Sequence, residues 1–359
     1  MKEIEYKDFS LHAHKKNWRS KKPNVCQFEL TFGCALHCRH CYTDCYNNPS
    51  HISRELTTEE IKIILDKVRD AGVLWVCFTG GDPLVREDFL EIYAYAKQKG
   101  FLITLFTNAV SMTEEIASSL AAQPPFSIEI TVNAADKDLY EHISQVRDSY
   151  ARMRQGLKRM LDKGLPLKIK TQITKDNRGD MVTIKEFIEK QGFTFTPSFR
   201  IFPRLNKDTA PCDLRLPIPQ VPNADLSDPL DCFGRSQAKT GTGDEFVFRC
   251  AAGGGDGFYI DPYGNMFLCN LLRKPSINAL KEDIAEGVKA LAPFFKDEKF
   301  TGDSACRNCR FRNSCLSCPG IAYLEKNDME SPIPYFCDLA KMPQKDKIKE
   351  VPRVKKATI

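Results

Sequence analysis

Cys34, Cys38 and Cys41 set three thiols within eight residues, in the order C-x3-C-x2-C. Clustered thiolates are metal ligands, and the open question is the fourth. No cysteine follows at the CxxC distance of a zinc loop, and the nearest, Cys45, lies four residues beyond Cys41. A structural zinc centre closes with four protein ligands, whereas an iron–sulfur cluster held by three leaves one iron open. The trio fits the open cluster better. A second set of thiols lies downstream: Cys250-x13-Gly264-x4-Cys269, then Cys306-x2-Cys309-x5-Cys315-x2-Cys318, then Cys337. On their own, the CxxC pairs here suit zinc knuckles.

These thiols need a frame. Short β-branched or aromatic runs at 25–31, 73–79, 101–107, 126–132, 167–173 and 194–202 alternate with amphipathic helical patterns. One helix opens with Thr57 and Glu60 spaced as a capping box and closes at Gly72; two others close at Gly100 and Gly164. Repeated strand–helix units predict an α/β fold with parallel strands joined by right-handed crossovers. Six units are too few to close an eight-stranded barrel, so the pattern alone allows an open partial barrel or a doubly wound sheet. In either, ligands sit at the carboxyl ends of the strands, which is where the loop Cys34–Cys41 falls. "GGDP" (Gly80, Gly81, Asp82, Pro83), "TNA" (Thr107–Ala109) and "TVNA" (Thr131–Ala134) follow the next three strands. Glycines at such a turn let backbone approach a ligand without a Cβ in the way.

The 359 residues are enough for one domain of ~200–250 residues plus a smaller module. Residues 1–24 read as a basic, solvated lead-in, 25–202 as the strand–helix unit and 203–249 as a proline-rich connector or lid. Residues 250–340 form a cysteine-rich region with few long elements, and 341–359 a basic tail. A net charge of +5 is too small to argue for nucleic acid. No apolar run approaches the ~20 residues of a membrane span, and the amino terminus lacks a signal peptide's apolar core. Fifteen cysteines without an export signal point to metal or redox chemistry in the cytoplasm rather than to disulfides. Cys26 and Cys77 lie within strand patterns and read as packed small hydrophobes.

With these motifs in this order, the chain resembles the radical S-adenosylmethionine (SAM) superfamily. The resemblance implies a partial (β/α)6 TIM-like barrel in which Cys34, Cys38 and Cys41 hold a [4Fe–4S] cluster and SAM occupies the fourth iron. His40 takes the place of the aromatic residue before the last cysteine. The resemblance further implies that Gly80, Gly81, Asp82 and Pro83 bind the SAM amino group, with Asn108 beside them. Thr131 and Asn133 map to residues that bind the ribose, and Arg200 is a candidate partner for the SAM carboxylate. Asp82 stands where relatives often carry Glu, and Asn133 where many carry Asp.

The downstream cysteines resemble the SPASM extension, a small domain with two auxiliary [4Fe–4S] clusters, giving three clusters in all. By analogy Cys306, Cys309, Cys315 and Cys337 hold the outer cluster, and Cys250, Cys269 and Cys318 the inner one. The spacing before Cys318 is one residue short of the family's. The inner cluster's fourth ligand is left open among Cys212, Cys232, Asp256 and a vacant iron. Such relatives modify peptides or proteins, by crosslinking or by oxidation to formylglycine, and the implied activity is that of a peptide maturase. The implied partners are a peptide or protein substrate, a separate leader-recognition protein and an electron donor such as flavodoxin or ferredoxin. Tetrapyrrole or small-molecule modification is the alternative within enzymes. A non-enzymatic iron–sulfur electron carrier or zinc scaffold is the alternative outside them.

Overall fold

The computed structural model describes residues 5–20, 22–221, 245–254, 256–312 and 315–342. Cys232, the connector prolines Pro222 and Pro229, and the basic tail beyond residue 342 lie outside the described residues.

Six short strands pair in parallel in strictly sequential order: β1 (Val25–Thr31), β2 (Trp75–Gly80), β3 (Leu102–Thr107), β4 (Ser127–Thr131), β5 (Leu167–Gln172) and β6 (Pro197–Ser198). The order never reverses, so the sheet lacks the switch point of a doubly wound fold. It is the open wall of a partial barrel. The helices between strands follow their local signals. Thr57 caps the helix Thr58–Asp70 in a complete capping box with Glu60, and the helix buries Ile61, Ile64, Leu65 and Val68. Gly72, Gly100 and Gly164 end their helices at positive φ, where a Cβ would be strained.

Three regions differ from expectation. The sixth strand is two residues long rather than nine, because Pro197 has no N–H to extend the ladder. The lead-in is not merely a solvated tail. Residues Tyr6–Ser20 form a helix across the amino-terminal ends of β2 and β4. There Trp75 Nε1 donates to the Tyr6 hydroxyl at 3.0 Å, and the Tyr6 ring lies 4.8 Å from that of Phe126. The described part of the connector is packed rather than lid-like: Leu216 and Val221 join Ile321, Ile333 and Phe336 in a second apolar core.

The cysteine-rich region extends the barrel sheet. Strand β7 (Gly257–Ile260) runs parallel to β1, with Val25 opposite Gly257 and Phe28 opposite Ile260. β8 (Asn265–Phe267) and β9 (Ile277–Asn278) continue it antiparallel to nine strands. The β7–β8 hairpin turns at Gly264, φ 80°. This region also holds a 14-residue helix, Ile284–Asp297, where few long elements were expected. Its Ile284, Val288, Leu291 and Phe295 share one core with the barrel. Among the described residues no helix is long and apolar enough to cross a membrane.

Candidate active site

The loop that leaves β1 is gripped from two sides. Asn47 Oδ1 accepts the Cys34 N–H at 3.1 Å, and Asn47 Nδ2 donates to the Cys34 and Leu36 carbonyls, each at 3.1 Å. Across the loop, the His37 and Arg39 N–H groups donate to Ser144 O at 2.9 Å and Ile143 O at 3.1 Å. Those carbonyls belong to the last turn of the helix Lys137–Ser144. Arg39 Nη1 also reaches both carboxylate oxygens of Asp176, at 2.8 and 2.7 Å. Burial, and next the surrounding negative groups, push the thiols of Cys34 and Cys38 upward. Burial likewise raises Cys41. Three half-buried thiols that resist ionisation together need a cationic guest to become thiolates.

The two glycines of "GGDP" serve the loop itself. A Cβ on Gly81 would sit 2.2 Å from Gly33 O and 2.5 Å from Phe32 O, and one on Gly80 2.0 Å from Thr31 O. The Gly81 and Asp82 N–H groups instead donate to Thr31 O at 2.7 Å and Gly33 O at 2.8 Å. Close approach is thus to the cluster loop's backbone, rather than only to a ligand as the sequence suggested.

Asp82 was expected to offer its carboxylate to SAM. It is fully buried and turned inward, accepting from Leu84 N–H at 3.0 Å, Asn108 N–H at 2.9 Å and the Thr107 hydroxyl at 2.8 Å. Its shorter side chain stitches the end of β2 to that of β3. Asn108 then faces the thiols. Its Oδ1 accepts Val110 N–H at 2.9 Å, which aims Nδ2 at Cys34 Sγ, 3.3 Å away. Pro83 is buried behind it, opening a short turn capped by Asp82.

Asn133 also departs from its expected role. Its Oδ1 accepts Gln172 N–H at 2.8 Å, tying the end of β4 to that of β5, so this oxygen is engaged by backbone. Thr131 is the last residue of β4 and half-buried. Arg200 lies two residues past β6, in a loop rather than on the strand, and its Nε and Nη2 are buried with no partner among the described residues. Two orphaned guanidinium donors suit a carboxylate. The His40 ring Nδ1 is also buried and unpartnered, and burial pushes its ionisation down to about 4, so the ring is neutral.

Tyr140 was not anticipated. Its hydroxyl is buried without a partner among the described residues, and the ring is 3% exposed. An aromatic residue at helical spacing reads as core, and nothing in the sequence marks this one otherwise.

In the tail, burial first and then neighbouring thiols, Cys309 among them, push the ionisation of Cys306, Cys315 and Cys337 upward. Cys309 is exposed and the other three are half-buried. Cys318 caps the helix Pro319–Lys326, and Cys269 Sγ lies 3.5 Å from where a Cβ on Gly320 would be, so Cys269 and Cys318 are neighbours. Cys250 is half-buried against the main core. Of the open fourth ligands, Cys212 turns toward Glu325, 3.9 Å from its Oε2 and about two turns along the helix from Cys318. Asp256 is bonded to Asn24 at the foot of β1. Among the described residues no three His, Cys, Asp or Glu side chains assemble as ligands of one ion.

Two contacts lock tail to barrel beside the loop. Arg273 forms a bidentate pair with buried Glu29, both bonds 2.7 Å, and Asn270 Nδ2 donates to the Tyr42 hydroxyl at 3.0 Å.

Residues 28–188 match the model of the Radical SAM superfamily. The AdoMet-dependent heme synthase of Methanosarcina barkeri is 24% identical over 338 residues, covering 87% of this chain and 96% of its own. The PqqA peptide cyclase of Bradyrhizobium diazoefficiens is 30% identical over 158 residues, 43% of this chain and 40% of that protein, so the likeness spans less than half of either. Among solved structures, Streptococcus suis SuiB bound to precursor peptide SuiA aligns with a TM-score of 0.63 at 17% identity, covering 89% of this chain and 78% of SuiB. The donor set at the strand ends, three thiols on one loop and the unpartnered guanidinium of Arg200, suits a cluster with an open iron and a ligand carboxylate, and the matched model covers the loop and β2 to β5 but ends before Arg200. Over residues 28–188 the chain thus carries a match to the Radical SAM superfamily, whose members are enzymes that use SAM and a [4Fe–4S] cluster.

Proposed function

We propose that the chain is a peptide maturase that removes hydrogen from a peptide substrate to form a crosslink or an oxidised residue. When bound, the [4Fe–4S] cluster supplies the electron that splits SAM into methionine and a 5′-deoxyadenosyl radical. Cys34, Cys38 and Cys41 hold three of its irons and leave the fourth to the SAM amino and carboxylate groups. Arg200 pairs with that carboxylate through its orphaned donors. The backbone of Gly80–Pro83 and the side chains of Asn108, Thr131 and Asn133 line the cofactor, with neutral His40 beside it. The electrons balance as follows. Loss of two hydrogens from the peptide needs one hydrogen atom taken by the cosubstrate's radical, one electron accepted by an auxiliary cluster that Cys306, Cys309, Cys315 and Cys337 would hold, and one proton released to solvent.

The observation that carries this reading is a second set of neighbouring thiols on the same chain as the first trio, Cys309 and Cys337 lying near enough to act on Cys306 and Cys315. An oxidation needs an acceptor for its second electron, and a cluster held by these four thiols would offer one. They would hold the outer auxiliary cluster of a SPASM domain spanning residues 250–340, with Cys250, Cys269 and Cys318 on the inner one. The likeness to a peptide cyclase across the barrel supports a peptide over other oxidisable substrates. A flavodoxin or ferredoxin donor and a separate leader-recognition protein complete the proposed system, in the cytoplasm. A second reading, tetrapyrrole side-chain modification, is favoured by the heme synthase match that runs across barrel and tail alike.

One experiment separates them. Anaerobically reconstituted protein with SAM and reductant is offered short Cys-rich peptides encoded beside its gene and, separately, a tetrapyrrole bearing propionate groups. Loss of two hydrogens from a peptide is the expected result. Turnover of the tetrapyrrole with no peptide product would replace the first reading by the second.

A further inference from the structure

Asn108 donates to Cys34 from one side of the cluster loop, and a second neutral donor stands on the other. Tyr140, Ile143 and Ser144 share a face of the helix Lys137–Ser144, being spaced three and four residues apart. The Ile143 and Ser144 carbonyls at the carboxyl end of that helix receive the amides of Arg39 and His37, the two residues that flank Cys38. Tyr140 therefore lies one turn back from the helix end that holds the loop. Its neighbour Tyr150, 5.7 Å away ring to ring, directs its own hydroxyl to the Ala135 carbonyl. The Tyr140 hydroxyl has no partner among the described residues. A buried hydroxyl without an acceptor costs free energy, so one placed beside thiols points to an acceptor that arrives with the cluster.

The charged groups around it agree. Burial pushes the hydroxyl's ionisation up most, then Cys38, Cys34 and Asp82 push it further, while Arg152 pulls it down. Cys38 and Cys34 are thus near enough to act on this hydroxyl.

We propose that Tyr140 is a positioning residue whose hydroxyl donates a hydrogen bond to the cluster on its Cys38 side, and that with Asn108 on Cys34 it sets the cluster's reduction potential. The inference rests on the cluster reading of Cys34, Cys38 and Cys41. Each donor stabilises the more negative, reduced cluster relative to the oxidised one and so raises the potential. A tyrosine here would ease reduction where a phenylalanine of the same shape would not.

The test is an EPR-monitored redox titration of reconstituted wild type, Y140F, N108A and the double variant, in the absence of SAM. Both single variants are expected to load as much iron and sulfide as wild type and to titrate at more negative potential, the double variant shifting further than either. An unchanged Y140F potential, or a change seen only with SAM bound, overturns the proposal and gives the hydroxyl to the cosubstrate instead. Proton ENDOR on reduced wild type serves as an independent measurement. An exchangeable proton coupled to the cluster, lost after exchange into heavy water, is expected without SAM, and its absence also overturns the proposal. If wild type binds no iron and sulfide at the loop, the cluster reading itself fails, an outcome distinct from an unmoved potential.

Discussion

A Gly81→Ala variant is expected to lose the first cluster and, with it, SAM cleavage. The added Cβ would lie 2.2 Å from Gly33 O and 2.5 Å from Phe32 O, against an ordinary contact of 3.4 Å or more. Neither obstacle is a flexible side chain. Both are backbone of the segment that leads into Cys34, so the loop must retreat by about 1 Å. Displacements of that size in a reacting centre cost on the order of 100-fold in rate. Here the displaced atoms also carry the cluster's ligands. Iron per chain should fall together with 5′-deoxyadenosine formation, while circular dichroism keeps the barrel's signature. Gly179→Ala is the control, because nothing lies within 4 Å of the added methyl there. That variant should match wild type in iron, rate and stability.

Arg273→Ala is expected to destabilise the protein by about 3–5 kcal/mol, the cost of leaving a buried charge unpaired. Glu29 is wholly buried on β1, and both its carboxylate oxygens accept from Arg273 of the tail. The guanidinium also lies 4.9 Å from the centre of the Phe267 ring and 5.5 Å from that of Phe32, so truncation removes packing as well as charge. The pH dependence has a definite sign. Burial raises the Glu29 carboxyl above its ordinary value even with Arg273 pulling it down. A raised folded-state value means that the group's contribution is intact below about 4.3, its unfolded value, and falls as pH rises through the folded value. Without Arg273 the folded value rises further, so the gap between variant and wild type should widen from acid to neutral pH. Chemical denaturation at several pH values measures it. Replacing both partners, as E29Q/R273M, should recover most of the loss, since no unpaired charge is then left buried.

The barrel was legible where local signals act alone. Thr57 with Glu60 and the glycines at 72, 100 and 164 mark helix ends through chemistry confined to a few residues. The alternating strands between them then admit few arrangements. The β7–β8 turn rests on the same kind of local chemistry, a glycine at positive φ in Gly264. What local pattern does not carry is which distant surfaces meet. Nothing near Gly257 announces that β7 will pair with β1, and nothing in Tyr6–Ser20 announces Trp75 as its cover. At the site, the cysteine spacing was the most specific signal in the sequence, because a metal demands specific atoms at short range. The hydrogen-bond partners of Asp82 and Asn133 were not legible, because a side chain's partners depend on a neighbouring strand. Asp82 turned to Asn108 and Thr107, and Asn133 to Gln172. Arg200 was placed on a strand that Pro197 cut short, yet its orphaned donors leave it free for a carboxylate.

The central claim is that Cys34, Cys38 and Cys41 hold an iron–sulfur cluster with one iron open to SAM. Anaerobically purified and reconstituted protein should carry iron and acid-labile sulfide in equal amounts, and adding SAM should change the EPR spectrum of the reduced cluster before 5′-deoxyadenosine appears. Alanine at all three positions should abolish both the spectral change and the nucleoside, while leaving iron in the tail. Zinc without sulfide in wild type, or undiminished SAM cleavage by the triple variant, would contradict the account.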